Sequence, residues 1–261
     1  MKKFLVPFIS LLMLPVLAQA ASTCQSLVIT GHPAYPPVAW ASQGKIVGAA
    51  AEFVTSIALR QGVKSVTSRD FGSWGNAQEA AKSGEADVIF GIYKNEERGT
   101  YLNYIDPPFM IDPVAVAVRK GEAFAFSKWD DLRSRKGVTN AGESYGNQFD
   151  AFMAKDLTVA RAQGVAKAFE ALLNKQADYL IIGLYPAKNE AKLRGVASRL
   201  EFLPKDLLSS NMYIAFSKKS KCYASLSVGF AANIKTDVEQ GEVKQLLDSA
   251  QSRLVAGQQT R

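Results

Sequence analysis

Two kinds of apolar pattern alternate along the chain. Short runs such as QSLVITG, VKSVTSRDF and ADVIFGIY are bounded by glycine, charge or turn residues, and they predict strands. Between them apolar residues recur at helical spacing. In AAAEFVTSIALRQG, Phe53, Val54, Ile57 and Ala58 fall on one face and Gly62 stops the helix; in WGNAQEAAKSG the stop is Gly84. Strand, helix, strand, helix, strand is the order of a parallel sheet covered by helices on both faces.

DPVAVAVRKGE (112–122) then predicts a long extended strand, after which the order starts again. KGVTNAG, LTVARAQ and ADYLIIGL read as strands, with SYGNQFDAFMAK and VAKAFEALLNKQ as helices between them. NMYIAFSKKS (211–220) is a second long strand, and YASLSVGFAANIKTDVEQG and EVKQLLDSAQSRLVAG close the chain as helices. The halves share an order of elements but no readable sequence repeat. The pattern predicts two α/β lobes joined by two long strands, against the alternative of one continuous domain. The boundaries are residues 21–115 for the first lobe, 116–212 for the second, and 213–261 for a return to the first.

The N-terminus changes the picture of where the chain works. MKKFLVPFISLLMLPVLAQA has two lysines, a short apolar run broken by Pro7 and Pro15, and an Ala-Gln-Ala end, the form of a cleaved signal over residues 1–20. A transmembrane anchor needs about 20 uninterrupted apolar residues. A lipoprotein at Cys24 is the third option, and Ala21-Ser22-Thr23 fit that processing poorly. Export to the periplasm makes Cys24 and Cys222, the only two cysteines, a candidate disulfide, with two buried thiols as the alternative. The net charge of +7 comes from basic residues spread along the chain, without the run that nucleic acid would require. The one histidine, His32, cannot build a metal site alone and reads as shaping the Gly31–Pro33 turn. No cofactor is implied.

The candidate chemistry begins where ADVIFGIY runs into KNEERGT. Arg98 at the mouth of a buried strand is either a solvated turn residue beside Glu96 and Glu97 or a charge aimed at a ligand. Ligands in such sheets sit beyond the C-terminal strand ends. Gly91 and Arg98 lie at one such end, and Tyr35 and Trp74 follow two others.

Over nearly all of its length after residue 20, the chain resembles the bacterial extracellular solute-binding proteins of family 3, the polar amino acid uptake type. YPPVAW followed by GKIVG and a helix resembles that family's opening. WGNAQEAAKSGEADVIFGIYKNEERGTYLNYIDPPF resembles its central signature, NKQADYLIIGLYPA its second-lobe strand, and ANIKTDVEQGEVKQLLDSA its closing helices. The resemblance implies a two-lobed periplasmic binding protein of type II, a venus-flytrap in which each lobe is a central sheet flanked by helices and two hinge strands join them. A small carboxylate-bearing ligand would close the lobes, and the closed form would dock as a monomer on an ABC permease in the inner membrane.

Residue by residue, the resemblance implies that Arg98 grips the ligand carboxylate, because a guanidinium fork fits it bidentately. Gly91 and Tyr93 fall where the family offers further donors, although Asn95 replaces the usual threonine of that turn. Tyr35 and Trp74 match aromatics that sandwich the ligand, with core or surface packing as the plainer reading. Glu143 and Ser144 open a helix where the family binds the anion. Glu143 departs from the small hydroxyl residue expected there, so it either takes a ligand amine or caps the helix. Gly183 is the largest departure, since the family carries there the aspartate that pairs with the α-amino group. Either Glu143 supplies that charge or the ligand is not an ordinary α-amino acid.

The expectation is therefore a binding protein and not an enzyme. One histidine and no nucleophile motif argue against hydrolysis. The alternatives are a periplasmic dehydratase on the same fold, with Glu143 as its general acid, or a sensing or interaction module without a transport role.

Overall fold

A computed structural model describes residues 24–259, so the segment expected to be a cleaved signal lies outside the described residues. The first half of the sheet is built from β1 (Ser26–Gly31), β5 (Ser65–Ser68) and β6 (Val88–Tyr93), all parallel. The second half is built from β8 (Lys136–Asn140), β9 (Thr158–Ala162) and β10 (Tyr179–Gly183), also parallel. The spatial orders, β5-β1-β6 and β9-β8-β10, are the same arrangement met twice, as the repeated order of elements predicts.

Two long strands join the halves. β7 (Leu102–Arg119) and β12 (Leu208–Ser217) pair antiparallel over most of their length. β12 lies against β6 in the first half. β7 pairs with β10 from Val114 to Ala117 and with the short β11 (Leu200–Phe202) beyond it. The sheet therefore runs without a break, and its two-lobed character comes from β7 changing partners midway. A separate sheet of β2 (Ala34–Tyr35), β3 (Ala39–Ser42) and β4 (Lys45–Val47) follows β1.

β7 is longer than its sequence suggests. Asp106-Pro107-Pro108 reads as a strand breaker, yet the strand starts upstream at Leu102. Proline is tolerated in a strand where its missing N–H is not needed by a neighbour. The helix α6 (Leu184–Leu193) is also hidden in the sequence, because ADYLIIGL reads as strand through Leu184 and Pro186 argues against a helix. Pro186 falls in the first turn, where backbone N–H groups have no helical partner anyway.

The other helices follow their patterns. α1 (Ala49–Arg60) buries Phe53, Val54, Ile57 and Ala58. α2 (Trp74–Ser83) is capped by Ser73, whose hydroxyl accepts from Asn76 N–H, and ends at Gly84 with φ 86°, a left-handed conformation that favours glycine. A short α3 (Glu96–Gly99) follows β6. α4 (Asn147–Asp156) and α5 (Val165–Leu173) belong to the second half, while α7 (Tyr223–Glu239) and α8 (Glu242–Gln259) return to pack against α1.

Phe53, Ile57, Phe90, Phe216, Phe230 and Ile234 fill one face of the first half, and α2 covers the other, its Ala77 and Ala81 clustering with Ile89 of β6. Each such large apolar side chain contributes about 1.5–3 kcal/mol when fully buried. Among the described residues no helix is long and apolar enough to cross a membrane.

Cys24, just before β1, is bonded to Cys222 at the start of α7, with an S–S distance of 2.00 Å across a sequence separation of 198. The bond ties the first strand to the returning C-terminal segment. In the chain-entropy account a closed loop of this size constrains the unfolded state strongly. The double variant Cys24→Ser/Cys222→Ser is expected to lose about 2–4 kcal/mol, read as a fall of roughly 5–10 °C in melting temperature. Thermal unfolding checks this, and two thiols should titrate in the denatured wild type only after reduction.

Candidate functional site

In each half the strand order reverses beside the first strand, and the crevice beyond the C-terminal ends at that point is where α/β sheets bind ligands. β1 ends at Gly31 and β6 at Tyr93; β8 ends at Asn140 and β10 at Gly183. The loops after these four strands meet across the junction of the halves.

Arg98 lies there, 3 % exposed, and each of its three guanidinium nitrogens donates to a protein acceptor. Nε donates to Gln78 Oε1 at 3.0 Å, Nη1 to Tyr93 O at 3.0 Å and Nη2 to Gly142 O at 2.9 Å. The last bond crosses from the first half to the second. Gln78 Nε2 makes the same crossing to Gly142 O at 3.1 Å, and Asn95 Nδ2 donates to Ser144 Oγ at 2.6 Å. Asn95 also caps α3, its Oδ1 accepting from Arg98 N–H, so the loop that presents Arg98 is pinned by a residue that also reaches across.

Trp74, at the first position of α2, has its ring centroid 5.7 Å from Arg98 Cζ and 5.1 Å from the His32 ring. His32 Nδ1 accepts from Ala34 N–H at 2.9 Å, which shapes the turn as its sequence position predicts. That bond needs a lone pair on Nδ1, so the proton is on Nε2, where it faces Glu143 Oε1 at 3.1 Å. Asn140 Nδ2 lies 3.2 Å from the same oxygen, its amide oriented by Gly164 N–H donating to Oδ1. Burial pushes the Glu143 carboxyl up, but the His32 and Asn140 hydrogen bonds and the Arg98 charge outweigh it and hold the group below the usual carboxylate value. Ser144 donates to Asp150, which also accepts from Tyr145 N–H at 2.8 Å. The start of α4 is thus served by the chain's own carboxylate.

The deepest part of the junction is a residue that the sequence does not single out. Asp112, on β7 just before it changes partners, is completely buried. Its Oδ2 accepts from Tyr35 Oη and from Tyr93 Oη, each at 2.5 Å, and the two phenols lie 2.9 Å apart. Its Oδ1 is buried with no hydrogen-bond partner among the described residues, as is Trp74 Nε1. Burial raises the Asp112 carboxyl from 3.8 to about 6; the two tyrosine hydrogen bonds oppose the shift, and the charges of Glu143 and Asp206 add to it. Both phenols are pushed well above their ordinary value, first by burial and then by the Asp112 charge, so they remain donors.

Gly183 makes this arrangement possible. A Cβ there would lie 1.9 Å from Tyr35 Oη and 2.5 Å from Asp112 Oδ2. Gly183 is paired with Val114, two residues along β7 from Asp112, so its bare Cα and the carboxylate are diagonal neighbours on adjacent strands. A cavity of about 10 Å³, room for roughly one water, lies between Tyr35, Asn140, Glu143, Tyr145, Ile182 and Gly183.

The structure thus brings Arg98, Trp74, Tyr35, Tyr93, Glu143, Ser144 and Gly183 to one junction. Gly91 has a structural place in addition. With φ 69° it sits where β6 bulges against β12, skipped in the register between Phe90 and Ile92. Asp112, Gln78 and Asn140 are the functional candidates that sequence patterning passes over. The signal for Asp112 is an acid inside an otherwise apolar run from Phe109 to Val118. Among the described residues no group of three or more His, Cys, Asp or Glu is placed to hold a metal ion.

Comparisons with known proteins agree with this architecture. The family model for bacterial extracellular solute-binding proteins, family 3, matches residues 27–250, and the chain belongs to that family. Among solved structures it is similar to an amino acid ABC transporter substrate-binding protein, AbpA from Streptococcus pneumoniae bound to L-arginine. The TM-score is 0.69 at 21 % identity, covering 87 % of this chain and 94 % of that one. ArgBP from T. maritima, as its P235GK mutant, gives a TM-score of 0.69 at 20 % identity, covering 87 % and 96 %. A histidine kinase sensor domain with similarity to periplasmic binding proteins gives 0.69 at 21 %, covering 87 % and 96 %. No curated protein sequence matches the chain. The fold is that of the two-lobed periplasmic binding proteins.

Two outcomes test the core of the site. Because the folded state holds the Asp112 proton more tightly than the unfolded chain, its contribution to stability is full below about pH 4 and is lost as the pH rises toward 6. The difference in unfolding free energy, wild type minus Asp112→Asn, should fall by about 3 kcal/mol between pH 4 and 7, as measured by denaturant unfolding across that range. Gly183→Ala should cost about 1–3 kcal/mol through overpacking against Tyr35 and Asp112. Tyr35→Phe, by removing the nearest clashing atom, should recover part of that cost in a double-mutant cycle.

Proposed function

We propose that the protein is an exported, periplasmic and monomeric solute-binding protein. It captures a small carboxylate-bearing, amino acid-like ligand between its lobes and delivers it to an ABC permease. Arg98 carries this reading. It is a buried guanidinium at the junction of the halves, and one of its bonds, to Gly142 O, is made to the opposite lobe. Parting the lobes about β7 and β12 releases that donor and leaves a planar fork facing the cleft, which a carboxylate engages better than a neutral carbonyl does. Trp74 supplies a flat apolar wall beside it, and its Nε1–H an additional donor.

In this reading the lobes meet near residues 115 and 212, within β7 and β12, the two long strands that connect the halves. Ligand favours closure only as far as it binds the closed form better than the open one. Binding is favoured over dehydration because Glu143, the acid a dehydratase would use, is held below its usual value and is ionised at neutral pH. A general acid needs the opposite shift.

The test is a thermal-shift screen of the chain from residue 21 onward against the twenty L-amino acids and small organic acids. A ligand at one hundred times its dissociation constant adds about 2.7 kcal/mol, an upward shift of several degrees. At least one carboxylate should produce it, Arg98→Ala should abolish it while still melting cooperatively, and Arg98→Lys should restore only part. A screen without a single stabilising carboxylate, or full stabilisation of Arg98→Ala, overturns the reading.

A further inference from the structure

The Arg98 guanidinium is held from both sides of the junction. Nε donates to Gln78 Oε1 and Nη1 to Tyr93 O, each at 3.0 Å, and both acceptors belong to the first half. Nη2 donates to Gly142 O at 2.9 Å in the second half. Of these acceptors only Gln78 Oε1 is a side-chain atom, so it alone depends on residue type. Gln78 lies on α2 four residues after Trp74, one turn along the same face.

The Gln78 amide has a fixed sense. Oε1 faces Arg98 Nε–H and, at 3.5 Å, the Tyr101 hydroxyl, whereas Nε2 donates to Trp74 O at 3.3 Å and to Gly142 O at 3.1 Å. Turned over, the amide would set its oxygen against carbonyls and its NH2 group against a cation. Trp74 therefore bounds the guanidinium twice. Its ring centroid is 5.7 Å from Cζ, and its carbonyl orients the amide that holds Nε. Gly142 fits closely against the same amide, since a Cβ there would lie 3.1 Å from Gln78 Nε2.

We propose that Gln78 is the positioning residue of the carboxylate site: its amide sets the plane of the Arg98 guanidinium from within the first half and keeps it when the halves part. This rests on the binding reading above and adds to it the edge of the guanidinium that a carboxylate meets. With Nε committed to Gln78, that edge is the one between Nη1 and Nη2, beside the donor that Gly142 O engages. A side chain already held in its binding orientation loses little freedom when a carboxylate arrives, whereas an unrestrained arginine must first be ordered. The same amide donates to Gly142 O, so the halves meet on the group that orients the arginine.

Two measurements on the chain from residue 21 onward test this. The first needs no ligand. In proton–nitrogen correlation spectra the Arg98 Nε–H, identified by its loss in Arg98→Lys, should be protected from solvent exchange in the wild type. Gln78→Met keeps side-chain length and helix preference but removes the acceptor, and the resonance should be lost to exchange. Gln78→Glu supplies an acceptor again and should bring the resonance back. The second is isothermal titration with the carboxylate that stabilises the chain most in the thermal-shift screen. Gln78→Met should weaken it about tenfold, the cost of ordering one side chain on binding. In the Arg98→Lys background there is no Nε–H for Gln78 to hold, and the same substitution should change affinity by less than about twofold.

An Nε–H that exchanges freely in the wild type, or one that survives unchanged in Gln78→Met, overturns the proposal and leaves the carboxylate reading intact. So does an equal loss of affinity in both backgrounds, which makes Gln78 a packing residue only. Absence of binding by every carboxylate in the wild type overturns both readings.

Discussion

A carboxylate buried in the middle of a strand that belongs to both lobes is the constraint around which the cleft is organised. Asp112 has no access to water, so its charge must be met by groups the fold can bring to it. Tyr35 and Tyr93 do this from two different segments of the first lobe, and each is buried with its hydroxyl turned inward. The requirement extends outward from there. Tyr35 reaches Asp112 only because residue 183 has no side chain, and the strand β10 that carries Gly183 is in register with β7 two residues beyond the acid. A change at any of these positions is felt at the others, and all of them lie where the sheet passes from one lobe to the next.

The outer part of the junction obeys a different rule. There the halves are joined by hydrogen bonds from charged or polar side chains to backbone carbonyls and hydroxyls, from Arg98 and Gln78 to Gly142 O and from Asn95 to Ser144. Such bonds are each worth little in net terms, about 0.5–1.5 kcal/mol and somewhat more for the charged donor. The inner cluster is fixed by burial, whereas the outer one is a set of individually weak polar contacts between the halves.

Much of this was written plainly in the sequence and some of it was not. α1 and α2 are legible because their apolar residues keep helical spacing and glycine marks their ends. β6 is legible because the apolar run from Val88 to Tyr93, bounded by Asp87 and Lys94, has room for a buried strand only. The repeated order of elements reveals the paired 2-1-3 strand arrangements. The upstream start of β7 and the helix α6 are not legible, and both contain proline at positions where its missing N–H is tolerated. Arg98 and Trp74 are visible through their place after a strand and at a helix start. Asp112 is not, because a single acid in an apolar strand has no periodic signature and its partners are 77 and 19 residues away. Gly183 is visible as a departure, but the sequence cannot say that the space it leaves is filled by a phenol and a carboxylate from elsewhere.

The state of His32 shows how the two clusters communicate. Its Nδ1 is committed to Ala34 N–H, one residue before Tyr35, and its Nε2–H to Glu143 in the second lobe. The same ring packs against both Trp74 and Tyr35, with centroids 5.1 and 5.4 Å away. Through this one ring Glu143 of the second half is joined to the turn that positions the Tyr35 phenol over Asp112 and to the indole beside Arg98. With Nδ1 accepting from Ala34 N–H and Nε2 facing Glu143, the ring holds these parts of the junction in one geometry. The histidine thus has a physical reason to be where it is: it links Glu143 of the second half to the Tyr35 turn and to the Trp74 indole of the first.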